Sequence, residues 1–188
     1  MMNTPNEAAQ PMTAANRLSI PLKERKWMYA ALLLSAVFVI WGLRDMLQLP
    51  LSILQSKRFE FTIKNYGSYA RIALFIVLAN YVLGAALRKR WINRRDDVKK
   101  WTASLWRLAR KLHTPAAIVA IGFIALHAIA VFIHGFQADF HSISGLLALF
   151  VLLPVPISGL FRYRKLDRKW HLRFGLAFAV CFLIHAFV

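Results

Sequence analysis

Residues 113–128 read HTPAAIVAIGFIALHA and residues 171–186 read HLRFGLAFAVCFLIHA. Each opens on a histidine and carries a second one fourteen residues later, and Arg173 is the only Asp, Glu, Lys or Arg in either. A helix that crosses the hydrocarbon core of a bilayer needs about 20 mostly apolar residues. Both stretches reach that length with their neighbours, and three other runs do the same. The sequence therefore predicts an all-α integral membrane helix bundle with five transmembrane helices, at residues 27–46, 67–87, 113–135, 142–161 and 170–188.

Composition agrees with this reading. Of the 188 residues, 59% are apolar, and the mean hydropathy is +0.48, values that predict one compact membrane domain and no separate soluble catalytic domain. The formal charge of +17 would suit a nucleic-acid binder. Here, however, the basic residues cluster between apolar runs, so no nucleic acid is expected and the charge reads as a topology signal toward a lipid bilayer. The single cysteine, Cys181, lies in an apolar run; it excludes an intramolecular disulfide and reads as a buried, inert thiol. Residues 1–22 form an N-terminal tail expected to be mobile, and residues 23–188 form the membrane domain. The apolar run after Lys26 resembles the start of a signal peptide, but no A-x-A-like cleavage site follows, so a retained helix is expected.

Pro154 and Pro156 should kink the fourth span without ending it, because neighbouring helices can satisfy the freed carbonyls. Residues 47–66 mix apolar side chains with Lys57, Arg58, Glu60 and Lys64, and are expected to lie along the interface. Residues 88–111 hold ten Lys and Arg and residues 162–169 hold five, whereas residues 135–141 hold none. Cytoplasmic loops carry the basic excess. The reading is a multi-pass plasma (inner) membrane protein with its N-terminus in the cytoplasm and its C-terminus outside.

Fourteen residues of helix advance about 21 Å and return to within about 40° of the same face. The third and fifth spans run in the same direction, so His113 comes level with His171, and His127 with His185. Two imidazoles at one depth on facing helices are what bis-histidine haem ligation requires. Ionisable groups inside a span mark function by default, which makes these four the candidate axial ligands of two haems b. Ala117 and Gly175, four residues after the first histidine of each helix, would leave room for a porphyrin. His134 and His141 fall near the outer interface, where a solvated histidine is unremarkable. His134 nevertheless remains an alternative ligand to His127, since it lies two turns further on and about 20° round the helix. Zinc or di-iron sites want ligands three or four residues apart, and these helices offer no such pair. Nor does the sequence contain a Gly-rich phosphate loop or a GxGxxG fingerprint.

From LWRLARKLH, beginning at Leu105, through ALHA to SGLLALFVLLPVPISGLFRYRKLDRKWHLRFGLAFAVCFLIHAF, the sequence resembles the ferric reductase-like transmembrane family. That family includes ferric reductases, the membrane part of NADPH oxidases and the haem-binding subunit of the bacterial methionine sulfoxide reductase system. The resemblance implies two haems b held by His113, His127, His171 and His185. Arg107, Arg110 and Arg173 at the cytoplasmic helix ends are candidate partners of the haem propionates. The family pattern has six spans against five here, and many members continue into a flavin and NADPH domain that this sequence does not carry. The expectation is thus an electron-transfer subunit of an oxidoreductase, taking electrons from a separate flavoprotein donor or a quinol and passing them to an outer-side acceptor. The alternatives are a quinol-oxidising cytochrome b subunit and a haem-free membrane scaffold or transporter.

Overall fold

The computed structural model describes residues 22–89, 91, 96–160 and 168–188. Among them are seven helices and no strand: α1 (Leu22–Gln48), α2 (Leu51–Leu54), α3 (Lys57–Arg88), α4 (Asp96–Gly135), α5 (Phe140–Leu152), α6 (Pro154–Leu160) and α7 (Arg168–Phe187). Five spans are long and apolar enough to cross a membrane, with α5 and α6 together forming one of them.

The distribution of side-chain size explains the architecture. Inside the bundle are Ala70, Ala73, Ala120, Ala130 and Ala148, whereas Leu33, Ile40 and Trp41 stand 67–71% exposed on the outside. In water such a surface would be unstable. In lipid it is not, because acyl chains solvate Leu as well as a protein core does, and association then depends on small residues that let backbones approach. Gly42 admits Leu126, whose Cδ2 would lie 2.8 Å from an added Cβ, and Gly84 admits the Trp106 indole at the same distance.

Two apolar clusters result. Met46, Phe59, Ile63, Leu126 and Ala130 join α1, α3 and α4. Ala73, Leu74, Ala120, Ala148, Leu152, Phe178 and Phe182 join α3 and α4 to α5 and α7. The second cluster is the one that positions the site, because Ala120 and Phe178 each lie seven residues after the first histidine of their helix. It is an apolar layer between the two histidine levels.

Two expectations need correction. Residues 47–66 do not lie along an interface as one segment. Ser56 caps the N-terminus of α3 by accepting from the Phe59 N–H, and Glu60 pairs with Lys64 one turn on at 2.6 Å. The mixed residues are therefore the first turns of a 32-residue helix, about 48 Å long and able to carry its polar end beyond the hydrocarbon. Only the one-turn α2 remains between α1 and α3. Residues 88–111 are likewise not all loop, since α4 starts at Asp96 and holds Lys99, Lys100, Arg107, Arg110 and Lys111 exposed on its first turns. Asp96 and Asp97 in the first turn favour that start electrostatically. Pro115 sits inside α4 without ending it. The fourth span does continue through its prolines: the α-helix is interrupted only at Leu153, which keeps right-handed helical angles (φ −51°, ψ −46°) and donates its N–H to the Phe150 carbonyl at 3.3 Å. The expected tail falls outside the described residues except for Leu22, as does the basic loop apart from Arg168 and Lys169.

The turn between α4 and α5 explains the antiparallel return. Gly135 ends α4 at φ +115°, a conformation that L side chains rarely adopt. Asp139 then caps α5, accepting the Ser142 N–H at 2.7 Å. That hydrogen bond to the ionised carboxylate holds the Asp139 pKa below its ordinary value.

Candidate functional site

The histidines of α4 and α7 meet in two levels. The ring centroids of His113 and His171 are 6.4 Å apart with planes crossing at 86°, and those of His127 and His185 are 6.2 Å apart at 58°. An imidazole nitrogen lies about 2.0 Å from a first-row metal ion, and about 1.1 Å from the centre of its own ring given bonds near 1.33 Å. Two rings on opposite sides of one iron therefore have centroids about 6.3 Å apart. Both levels have that spacing.

The far side of each ring is held by a backbone carbonyl. Nδ1 of His113 reaches the Val77 oxygen at 3.3 Å, and Nδ1 of His127 the Ile63 oxygen at 2.9 Å. On the other side of the bundle, Nδ1 of His171 reaches the Val155 oxygen at 3.1 Å and Nδ1 of His185 the His141 oxygen at 3.0 Å. A carbonyl can only accept, so each Nδ1 carries a proton, and in the neutral ring it is Nε2 that keeps the lone pair. That tautomer is the one a metal-binding imidazole needs, and a carbonyl behind Nδ1 is the usual outer partner of such a ligand.

These carbonyls are reachable for a local reason. In a helix the Cβ of residue i+4 leans back toward the N-terminus, over the carbonyl of residue i. Residue i+4 is Gly67 for Ile63, Gly145 for His141 and Gly159 for Val155. A Cβ added at Gly145 would stand 2.7 Å from the His185 ring, one at Gly67 3.2 Å from His127, and one at Gly159 3.4 Å from His171. Val77 is followed by Tyr81 at that position, and its hydrogen bond is the longest of the four.

A half-open cavity of about 800 Å³ surrounds the His127 and His185 level, walled by α3, α4, α5 and α7. That volume lies within the range of cofactor and ligand sites, ~300–1,000 Å³. At the other level, a Cβ added to Gly175 would meet nothing within 4 Å, which leaves open space one turn from His171.

His134 lines the same cavity, but its Nδ1 donates to the Leu54 carbonyl at 2.7 Å and its ring packs 6.1 Å from Phe59. It thereby ties α2 and the start of α3 to α4. His141 lies with its ring centroid 4.3 Å from that of His185. Sequence reasoning set His141 aside because nothing in the pattern reveals how the Asp139 cap turns α5 back toward α7. Arg107, Arg110 and Arg173 are exposed at the His113 end, where Arg110 lies over Trp106 at 5.8 Å and Arg173 over Trp170 at 5.3 Å. Arg71 was missed. It lines the cavity, with its guanidinium 5.8 Å from the Phe187 ring, and a signal existed: it is the only Asp, Glu, Lys or Arg between Lys64 and Arg88.

Among the described residues no three or more of His, Cys, Asp and Glu converge as ligands of a free metal ion. What the arrangement provides is two levels, each with one ring of α4 opposite one of α7. No family model, curated protein or solved structure matches the chain.

Proposed function

We propose that this chain carries electrons across a membrane as the subunit of an oxidoreductase, using two haems b, one held by His113 and His171 and the other by His127 and His185. The observation that carries the reading is the pair of ring separations, 6.4 and 6.2 Å, at two levels on the same two helices. When bound, such groups supply one-electron transfer between levels about 21 Å apart along the bilayer normal.

The chain's own residues do the rest. The four carbonyls orient the imidazoles and fix their tautomer. Leu74, Leu152, Phe178 and Phe182 supply an apolar layer between the levels, which is also the inner wall of the cavity. Arg71 in the cavity wall, and Arg107, Arg110 and Arg173 at the opposite end, offer positive charge for haem propionates. The exposed basic turns of α4 support a cytoplasmic His113 level in a plasma (inner) membrane, because basic residues accumulate on that side. A separate flavoprotein or quinol donates there, and an acceptor outside takes electrons from the His127 level.

Vesicles test this directly. Purified protein is reconstituted into liposomes loaded with ferricyanide, and a membrane-impermeant reductant is added outside. The reading expects the trapped ferricyanide to be reduced at a rate that His127→Ala abolishes. A rate equal to that of empty liposomes would sink it.

A further inference from the structure

The tetrapeptide Ile-Ser-Gly-Leu occurs twice, at residues 143–146 and 157–160, fourteen residues apart. That interval equals the one between His171 and His185 on the antiparallel neighbour α7. Two points fourteen residues apart on each of two packed helices share a face and are separated by the same ~21 Å. Each copy of the tetrapeptide therefore meets one histidine.

The two meetings are alike atom for atom. Ser144 donates its Oγ–H to the His141 carbonyl at 2.8 Å, and its oxygen lies 3.3 Å from Nδ1 of His185, which also reaches the His141 carbonyl at 3.0 Å. Ser158 donates to the Val155 carbonyl at 2.9 Å, and its oxygen lies 3.2 Å from Nδ1 of His171, which also reaches the Val155 carbonyl at 3.1 Å. A hydroxyl that has given its one proton to a carbonyl offers the ring only lone pairs. Nδ1–H is thus shared between two acceptors, and the glycine after each serine leaves the ring room to approach.

We infer that Ser144 and Ser158 are positioning residues: with the carbonyls of His141 and Val155 they form two copies of one histidine cradle, which locks the α7 imidazoles as Nδ1–H and strengthens donation from Nε2. The redox consequence rests on the haem reading above, whereas the tautomer follows from the hydrogen bonds alone. A second acceptor on Nδ1–H makes the imidazole a more electron-rich ligand, which favours the oxidised metal.

Two experiments on the full chain keep the readings apart. In haem-loaded protein, Ser158→Ala should move the midpoint potential of the His113/His171 haem upward and leave the other unmoved. Ser144→Ala should do the reverse, each variant should lose roughly tenfold in affinity for its haem, and Ser→Thr should restore both values. Two bound haems whose potentials do not move, or move together, would overturn the cradle and leave the haem reading standing. In haem-free protein, ¹⁵N spectra of the imidazoles read the tautomer directly. Nδ1–H at His171 and His185 is the expected result even if the chain binds no haem at all, and Nε2–H at either would overturn the cradle.

Discussion

On α3, the carbonyls of Ile63 and Val77, fourteen residues apart, face His127 and His113 of α4; on α5 and α6, the carbonyls of His141 and Val155, also fourteen apart, face His185 and His171 of α7. Each hairpin is a helix of acceptors beside a helix of histidines, and the two hairpins face each other through the rings. They differ in what surrounds them. The first is a pair of long helices clasped by α1 through Met46 and Leu126. The second is shorter, broken at Leu153, and reinforced by serine hydroxyls at both of its levels. The comparison teaches that one carbonyl per ring goes with the packing of whole long helices in the first hairpin, whereas the shorter second hairpin adds a serine hydroxyl at each ring.

The pairing of rings across the hairpins carries the largest expected effect. His113→Ala and His171→Ala should each lose the same haem, and the double substitution should lose no more than either single one. His127→Ala and His185→Ala should lose the other. Haem content and visible spectra of the purified variants check this. If His134→Ala empties a site that His127→Ala spares, the level nearer the α4–α5 turn is wrongly assigned.

Glycine substitutions come next and rank the ring sites of the two hairpins by steric margin. An alanine Cβ at Gly145 must displace the His185 ring from 2.7 Å, whereas one at Gly159 meets His171 at an acceptable 3.4 Å. Gly145→Ala should weaken haem retention at its level by roughly 10- to 100-fold, in keeping with a displaced ligand. Gly159→Ala should retain its haem, and Gly67→Ala, at 3.2 Å from His127, should fall between them. Dialysis against apomyoglobin with time-resolved spectra ranks the three. Equal loss in all of them would show that the close approach is not what the glycines provide.

A smaller effect belongs to the first hairpin alone. Leu126 is 1% exposed among Met46, Phe59 and Ile63, so Leu126→Ala leaves a cavity and should destabilise the fold by about 2 kcal/mol. That is the low end for such a change, because lipid solvates leucine in the unfolded state. Both haems should remain at full content. Thermal unfolding in detergent measures the loss, and loss of haem without loss of stability would contradict the division of labour between the hairpins.

The smallest effect lies at the turn that joins them. The Asp139 pKa is lowered in the folded chain by the Ser142 N–H. Its contribution to stability is thus fully present above the unfolded value, about 4, and is lost as pH falls through the lower folded one. Asp139→Asn should flatten the acid end of the stability profile, with a small loss of stability at neutral pH, where the carboxylate contributes fully, and none below the folded pKa. An unchanged acid profile would show that the cap does not hold the turn.

The five spans were legible because about 20 apolar residues in a row have few other uses, and the pairing of levels because the same fourteen-residue interval recurs on two helices. The ends of α3 and α4 were not. A helix beyond the hydrocarbon is held by caps and ion pairs such as Ser56 and Glu60–Lys64, which look like loop or interfacial composition in the sequence. The carbonyl acceptors were invisible for a deeper reason, since every residue has a carbonyl and only packing decides which one is offered. Yet the glycines that expose three of them, and the repeated Ile-Ser-Gly-Leu, stood in plain view; what was missing was the geometry that makes a glycine at i+4 mean an open carbonyl at i.

The central claim is that each level holds one iron between two imidazoles. Electron paramagnetic resonance of the oxidised, purified protein, with haem counted per chain, tests it most directly. The account predicts two haems per chain and two low-spin signals of different anisotropy, because the ring planes cross at 86° in one level and 58° in the other. A single haem, a high-spin signal at either level, or protein of native fold with no haem after reconstitution would contradict it.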